Sequence, residues 1–160
     1  MIRAALVWLA LAWPAWADAP RILMFGDSLT AGAGLPAEQG LTAQLERWLD
    51  DHGTPATILN GGLSGDTTYG GRVRIVTALA RHRPDAVIVE LGGNDMLRGW
   101  SPERAESNLN AILGRVGDEG RPVLLVGIHA PVRDAAWRRR WAAIWPRLAE
   151  RHDALLLPDL

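Results

Sequence analysis

The sequence predicts an α/β fold built on one doubly wound parallel sheet. Short apolar runs alternate regularly along the chain with segments whose apolar residues recur at helical spacing. The apolar runs are continuous and do not alternate with polar residues, so we expect helices to cover both faces of the sheet in three layers. The chain of 160 residues is long enough for one domain with a hydrophobic core and too short for two.

The predicted strands are the short apolar runs. They are residues 21–26, 56–59, 85–91 and 122–128, and residues 154–157 begin a fifth. Glycine, proline or polar residues bound each run, as is typical of strands that end in loops. Right-handed crossovers between successive strands follow from the alternation of strands and helices.

Four helices are expected between these strands. The first ends at Gly53, and the second, over residues 69–81, ends before Pro84. The third begins with Ser101 as its cap and Pro102 in its first turn. The apolar stripe of the fourth consists of Trp137, Trp141, Ile144, Trp145 and Leu148. Most tryptophans after residue 17 have this helical spacing and are predicted to lie in the core.

The N-terminus has the layout of a secretory signal peptide. Arg3 supplies a positive charge, residues 4–13 are apolar, and Ala15-Trp16-Ala17 is a small-x-small cleavage site. The apolar stretch is too short for a spanning helix, although an uncleaved N-terminal anchor is the alternative. We therefore assign residues 1–17 to the signal peptide and residues 18–160 to the folded domain. The domain is expected to be periplasmic or secreted, without stable insertion in the membrane.

Composition excludes several classes of function. The formal net charge is −1, which gives no argument for binding nucleic acid or an anionic membrane. The chain has no cysteine, so it forms no disulfide and has no thiol nucleophile or cysteine metal site. The sequence also lacks a P-loop, a dinucleotide fingerprint and a histidine–carboxylate cluster at metal spacing. We therefore expect no cofactor and no metal.

Small and polar residues follow each of the first three predicted strands. Gly26-Asp27-Ser28 follows the first, residues 60–66 follow the second, and Gly92-Gly93-Asn94-Asp95 follows the third. Ligands of such sheets bind beyond the carboxyl ends of the strands. Each stretch alone is more typical of a cap or turn, but together they provide the backbone N–H groups and the amide that an oxyanion hole needs.

These stretches belong to motifs that resemble those of the SGNH (GDSL) hydrolases. The motifs are FGDSLTAGAGL (25–35), NGGLSGDTT (60–68), RPDAVIVELGGNDMLRG (83–99), PVLLVGIHAP (122–131) and IWPRLAE (144–150). The sequence is most similar to the secreted bacterial branch of arylesterases, thioesterases and lysophospholipases. The resemblance covers residues 20–157 and implies the flavodoxin-like sheet of that family, with a small-molecule ester or thioester as substrate.

The resemblance also implies roles for individual residues. Ser28 would attack the carbonyl carbon of an ester or thioester. The backbone N–H groups of Ser28 and Gly65 and the side-chain amide of Asn94 would donate to the resulting oxyanion. Asp27 and Asp95 are expected to hold the loops by accepting backbone N–H bonds and not to act as bases.

The sequence departs from the family in the base. The family carries its histidine in a late Asp-x-x-His segment, and none of the histidines here has an aspartate three residues earlier. His129 follows the fourth strand and is the one candidate for a substitute base, while His52, His82 and His152 are expected at helix ends. We therefore expect a C-terminally incomplete domain, either truncated before the catalytic histidine or a family member without a working triad.

Two consequences follow from this departure. The sheet should expose apolar surface on the face that lacks its last covering helix. Hydrolysis by these 160 residues alone should be weak or absent. Deacetylation of a carbohydrate by the same fold, and a non-catalytic periplasmic module that holds a carbonyl group in the oxyanion pocket, remain as alternatives.

Overall fold

The computed structural model describes residues 19–129 and 134–158, and the assigned signal peptide lies outside these ranges. The strands in them are β1 (Arg21–Gly26), β2 (Thr57–Asn60), β3 (Ala86–Glu90), β4 (Val123–Val126) and β5 (Leu155–Leu157). The helices are α1 (Ser28–Ala31), α2 (Leu41–Asp51), α3 (Thr68–His82), α4 (Gly93–Leu97), α5 (Pro102–Gly117), α6 (Ala135–Ala142) and α7 (Ile144–Arg151). No helix within the described ranges is long and apolar enough to cross a membrane.

All five strands are parallel and form one sheet in the order β2-β1-β3-β4-β5. This confirms the predicted doubly wound α/β fold. The sheet is centred on β1 and β3, where Met24 pairs with Asn60 on one side and Gly26 pairs with Glu90 on the other. The carboxyl ends of β1, β2 and β3 therefore meet at one edge, which is where the polar motifs begin.

The core lies mainly between the sheet and the layer formed by α3, α5 and α7. Its fully buried members include Leu23, Phe25, Ile75, Val89, Leu109, Ile112, Leu113, Leu125, Trp141, Ile144 and Leu148. A second cluster on the opposite face packs α2 against Met24 and Ile58. Helices thus cover both faces of the sheet near β1, which makes three layers and explains why the strands read as continuous apolar runs.

The edge strand β5 is less well covered. Leu155 is 72% exposed and Leu157 is 41% exposed, although both belong to a strand of three leucines. Alternate residues of a strand point to opposite faces, so these two leucines project from the same face of the sheet. Apolar surface is therefore exposed at this strand, and its predicted cause, the lack of a last covering helix, stays a prediction.

Two predictions about the helices are wrong in part. The predicted fourth helix is two helices, α6 and α7, which meet at Ala143. Pro146 lies in the first turn of α7 and has no N–H to donate to the carbonyl of Ala142. The hydrogen bonds of one continuous helix are therefore interrupted at this position. Trp141 and Trp145 are buried as expected, but Trp48 is 55% exposed and stacks on His52 with ring centroids 4.0 Å apart.

Candidate active site

The predicted nucleophile lies in the turn between β1 and α1. Asp27 caps α1, and its Oδ1 accepts the N–H of Leu29 at 3.1 Å. Ser28 is therefore the first residue of the helix and not its cap. The first N–H groups of a helix have no acceptor within it, and the Ser28 N–H has no protein acceptor in the described part of the chain. The turn thus presents a half-buried serine together with an available backbone donor.

Asn94 is joined directly to this turn. It lies in α4, immediately after β3, and its Nδ2 donates to Asp27 Oδ2 at 3.0 Å. An asparagine amide carries two N–H donors, so one remains for a ligand when the other is held by Asp27. Asp27 therefore has two functions, since one carboxylate oxygen caps the helix of Ser28 and the other orients the amide of Asn94.

Gly65 lies in the loop between β2 and α3. Its φ of +78° is in the left-handed region that glycine adopts without strain, and the residue is exposed. The loop is tied to β1 by the N–H of Leu63, which donates to the carbonyl of Gly26 at 3.1 Å. Arg98, just after α4, donates from Nη2 to the carbonyl of Gly65 at 3.1 Å. The Gly65 loop is therefore anchored to the other two loops.

Asp95 completes the connection between the second and third loops. Its two carboxylate oxygens accept the N–H of Thr68 at 2.9 Å and the hydroxyl of Thr68 at 2.6 Å. Asn108 on α5 donates to the same hydroxyl oxygen at 3.1 Å. The predicted roles of Asp27 and Asp95 as acceptors of backbone N–H bonds are confirmed. Burial raises the pKa of the Asp95 carboxyl, while the bonds from Thr68 oppose this shift.

The three motif loops are thus hydrogen-bonded to one another in each pairing. Ser28 and Asn94 are linked through the single residue Asp27, and Gly65 lies between anchor points on both neighbouring loops. Preorganised donors of this kind need little rearrangement when charge develops on a bound carbonyl oxygen.

Glu90 is a feature of this site that the sequence interpretation missed. It is fully buried at the end of β3, where Oε2 accepts the hydroxyl of Thr30 at 2.8 Å and the N–H of Asp27 at 3.4 Å. Its Oε1 has no hydrogen-bond partner in the described part of the chain. Two causes raise the pKa of Glu90 to about 7, of which burial is the larger and the nearby Asp27 carboxylate the smaller. An acidic residue within the apolar run DAVIVEL was the available signal for it.

His129 follows β4 at the same edge of the sheet. It is exposed and lines a cleft of about 370 Å³ together with Ile128, Arg138, Arg139 and Trp145. Ile128 also lies about 4.0 Å from the position that a Cβ on Gly93 would occupy, so the cleft adjoins the loop of Asn94. A role for His129 as a substitute base stays a prediction.

The other three histidines lie at helix ends. His82 is the last residue of α3, while His52 and His152 follow α2 and α7. His152 Nε2 lies 3.0 Å from Asn110 Oδ1, and burial together with Arg151 lowers the pKa of this imidazole. No cluster of three or more metal-ligating side chains occurs among residues 19–129 and 134–158.

Gly62 is required by the close approach of the second loop to α1. A Cβ at this position would lie 2.2 Å from the backbone nitrogen of Ala31 and 2.6 Å from its Cα. We expect Gly62→Ala to reduce the free energy of unfolding by about 1–3 kcal/mol, because backbone atoms would have to move. Urea denaturation measures the effect.

The matched control for this substitution is Gly117→Ala. Gly117 is in α5, and a Cβ there would have no heavy atom within 4 Å, so the change should be neutral or slightly stabilising. Equal destabilisation by the two alanines would show that steric contact with α1 is not the cause.

Comparisons with known proteins identify the family of this chain. Residues 24–159 match the model of the GDSL-like Lipase/Acylhydrolase family. An arylesterase of Vibrio mimicus is 37% identical over 86% of this chain and 70% of its own length. Thioesterase 1/protease 1/lysophospholipase L1 of Escherichia coli K12 is 37% identical over 89% of this chain and 67% of its own length.

A solved structure confirms the fold in the same way. The crystal structure of AlinE4, an SGNH-hydrolase family esterase, superposes with a TM-score of 0.87 at 44% identity, covering 91% of this chain and 78% of that one. These matches confirm the resemblance inferred from the motifs.

Proposed function

We propose that this chain, which belongs to the GDSL-like lipase/acylhydrolase family, hydrolyses carboxylic esters or thioesters with Ser28 as its nucleophile. The observation that carries this assignment is the hydrogen bond of 3.0 Å from Asn94 Nδ2 to Asp27 Oδ2, because it holds an amide donor beside the turn of the serine. The names of the arylesterase and thioesterase relatives support the same class of reaction. The proposed substrate is a small-molecule ester or thioester.

The proposed reaction begins when Ser28 Oγ attacks the carbonyl carbon of the substrate. The carbonyl oxygen becomes an oxyanion that accepts hydrogen bonds from the N–H of Ser28, the N–H of Gly65 and the amide of Asn94. The tetrahedral intermediate then expels the alcohol or thiol and leaves an acyl group on Ser28. Water attacks this acyl-enzyme, releases the carboxylic acid and restores the serine hydroxyl.

The attack also requires an acceptor for the hydroxyl proton of Ser28. None of the histidines in these 160 residues has an aspartate three positions earlier to orient it. Serine hydrolases that lose a member of their triad still react roughly 10³–10⁴-fold faster than the uncatalysed reaction in water, because the oxyanion hole and substrate binding remain. We therefore propose that these residues acylate Ser28 slowly, with hydroxide from solvent as the acceptor, and that turnover is weak.

The place of action is also a proposal. The charged start, the apolar stretch and the Ala15-Trp16-Ala17 site support export through a signal peptide over residues 1–17. The hydrolase domain would then act in the periplasm or outside the cell.

The test is covalent modification of Ser28. The purified chain is mixed with p-nitrophenyl acetate at mildly alkaline pH, and the acetylated residue is located by mass spectrometry of peptides. We expect one acetyl group on Ser28 and none in Ser28→Ala. Ser107→Ala is the matched control, because Ser107 is an exposed serine of α5, outside the three motif loops, and its loss should leave acetylation unchanged.

Other outcomes would contradict specific parts of the proposal. Acetylation that persists in Ser28→Ala would remove Ser28 from its role as nucleophile. Turnover at a rate typical of esterases, abolished by Ser28→Ala, would contradict the predicted weak hydrolysis. Saturable binding of the ester without modification of Ser28 would favour a binding module over an enzyme.

A further inference from the structure

The guanidinium group of Arg74 is hydrogen-bonded to three segments of the chain that adjoin the candidate site. Arg74, on α3, donates from Nε to Asp66 Oδ2 at 2.6 Å, from Nη1 to the carbonyl of Gly61 at 2.7 Å and from Nη2 to the carbonyl of Gly26 at 2.8 Å. Its Cζ lies 3.8 Å above the centroid of the Phe25 ring. All three nitrogen atoms of the guanidinium are therefore occupied, and one face of the plane is covered.

The acceptors of Arg74 are adjacent to the proposed catalytic groups. Gly26 ends β1 and is separated from Ser28 by Asp27 alone. Asp66 follows Gly65 directly in sequence, and Gly61 begins the loop that carries Gly65. Arg74 thus contacts the segment of the nucleophile and both ends of the loop that holds the proposed second oxyanion donor.

We propose that Arg74 is a positioning residue that fixes the N–H of Gly65 relative to Ser28. The inference rests on the proposed function, because it concerns the geometry of the same oxyanion hole. Arg74 does not contact the substrate in this proposal. It acts through the carbonyl of Gly26 and the carboxylate of Asp66.

The surroundings of Asp66 transmit the position of Arg74 to the loop. The Asp66 side chain is 5% exposed, and Oδ1 accepts the N–H of Thr67 at 2.9 Å. Oδ1 also lies only 2.0 Å from the place that a Cβ on Gly70 would take, so the carboxylate packs against the bare backbone of α3. Asp66 has little room to move, and a change in its partner Arg74 should displace the backbone beside Gly65.

A lysine cannot reproduce this arrangement. The guanidinium is a planar fork with donors in fixed directions, whereas an ammonium group is a compact charge on a flexible stem. Each nitrogen of the Arg74 guanidinium donates to a different acceptor, and the ring of Phe25 stacks on the guanidinium plane. Arg74→Lys therefore keeps the positive charge and loses the geometry, which separates positioning from a general electrostatic effect.

The kinetic test compares Arg74→Met and Arg74→Lys with the unaltered protein. The measured quantities are the maximal rate constant for acetylation of Ser28 by p-nitrophenyl acetate and the concentration that gives half of it. Displacement of a catalytic group by about 1 Å can reduce a rate about 100-fold. We expect both variants to lower the maximal rate constant by about 10–100-fold and to leave the half-saturating concentration within about 2-fold, because positioning affects the transition state more than binding.

Arg121→Met is the matched control. Arg121 is also a largely buried arginine with all three guanidinium nitrogens occupied, by the carbonyl of Pro84, the carbonyl of Val116 and the carboxylate of Glu119. These contacts lie at the opposite edge of the sheet, before β3 and β4 begin. A similar loss of stability is expected for Arg121→Met, but its folded fraction should acetylate Ser28 at the unaltered rate.

A second measurement does not depend on the reaction. The N–H of Leu63 donates to Gly26 and the N–H of Asp66 donates to the carbonyl of Leu63 at 3.0 Å, so both should be protected from hydrogen exchange. We expect both Arg74 variants to accelerate exchange of these two amides at least about 10-fold. Arg121→Met should leave the exchange at these two positions unchanged.

The outcomes separate this inference from the proposed function. If the unaltered chain never acetylates Ser28, the proposed function fails, and exchange at Leu63 and Asp66 still decides whether Arg74 fixes the loop. Unchanged exchange at these amides in folded Arg74 variants would overturn the inference. Full acetylation by Arg74→Lys together with slow acetylation by Arg74→Met would also overturn it, because charge and not geometry would then be responsible.

Discussion

Replacement of Asn94 by alanine is expected to slow the acetylation of Ser28 by about 10²–10³-fold, which corresponds to about 2.7–4 kcal/mol of barrier. The amide of Asn94 is the proposed side-chain donor to the oxyanion, and Asp27 Oδ2 holds it at 3.0 Å. Alanine removes the donor and also leaves Asp27 Oδ2 without that hydrogen bond. The measurement is the maximal rate constant for acetylation of Ser28 in the folded variant.

Two further variants separate the lost donor from a lost fold. Asn94→Asp keeps the shape of the side chain but replaces the donor by an acceptor next to Asp27, so it should acetylate at least as slowly as Asn94→Ala. Asn110→Ala removes an asparagine of α5 that contacts Arg151 and His152 at the end of α7, and it should leave the rate unchanged. An Asn94→Ala rate within about 3-fold of the unaltered protein would contradict the proposed oxyanion hole.

The topology could be predicted from the sequence because it depends on pattern alone. Continuous apolar runs separated by helical stripes specify a covered parallel sheet, whatever the individual contacts are. The turn of Ser28 and the loop of Asn94 could be placed at one edge for the same reason, since the carboxyl ends of parallel strands lie at the same edge of a sheet. The break between α6 and α7 could not be foreseen, because the stripe of apolar residues continues across Ala143 and Pro146.

The network that holds the site could not be predicted in the same way. Arg74 lies on a predicted helix, and nothing in its immediate sequence shows that its guanidinium reaches the carbonyl of Gly26, 48 residues earlier. Asp27 and Asp95 were correctly expected to accept backbone N–H bonds, but the sequence does not show that Asp27 also orients Asn94 across the sheet edge. Such contacts depend on the packed positions of several elements and not on the period of one.

Glu90 is expected to make the protein less stable as the pH rises, which is the opposite of the usual effect of a carboxyl group. The pKa of Glu90 rises from 4.5 to about 7 on folding, since burial and the Asp27 carboxylate disfavour its charge. Between these values the folded state holds a proton that the unfolded state has released. The contribution of Glu90 to the free energy of unfolding is therefore fully present below pH 4.5. It decreases as the pH rises towards about 7 and is lost above that pH, and the total decrease is about 3 kcal/mol.

Glu90→Gln should remove most of this dependence. Glutamine has no charge to bury, and its carbonyl oxygen can still accept the hydroxyl of Thr30. The free energy of unfolding is measured in urea at several pH values from 4.5 to above 7, with the exposed Glu150→Gln as the control that should keep the unaltered profile. Burial raises the pKa of Asp95 as well, so Asp95 adds a dependence of the same sign to both profiles and does not separate them. If the free energies of unfolding of the unaltered protein and Glu90→Gln changed in parallel with pH, the raised pKa of Glu90 would be contradicted. A carboxyl group whose pKa is raised by folding must make the two curves diverge.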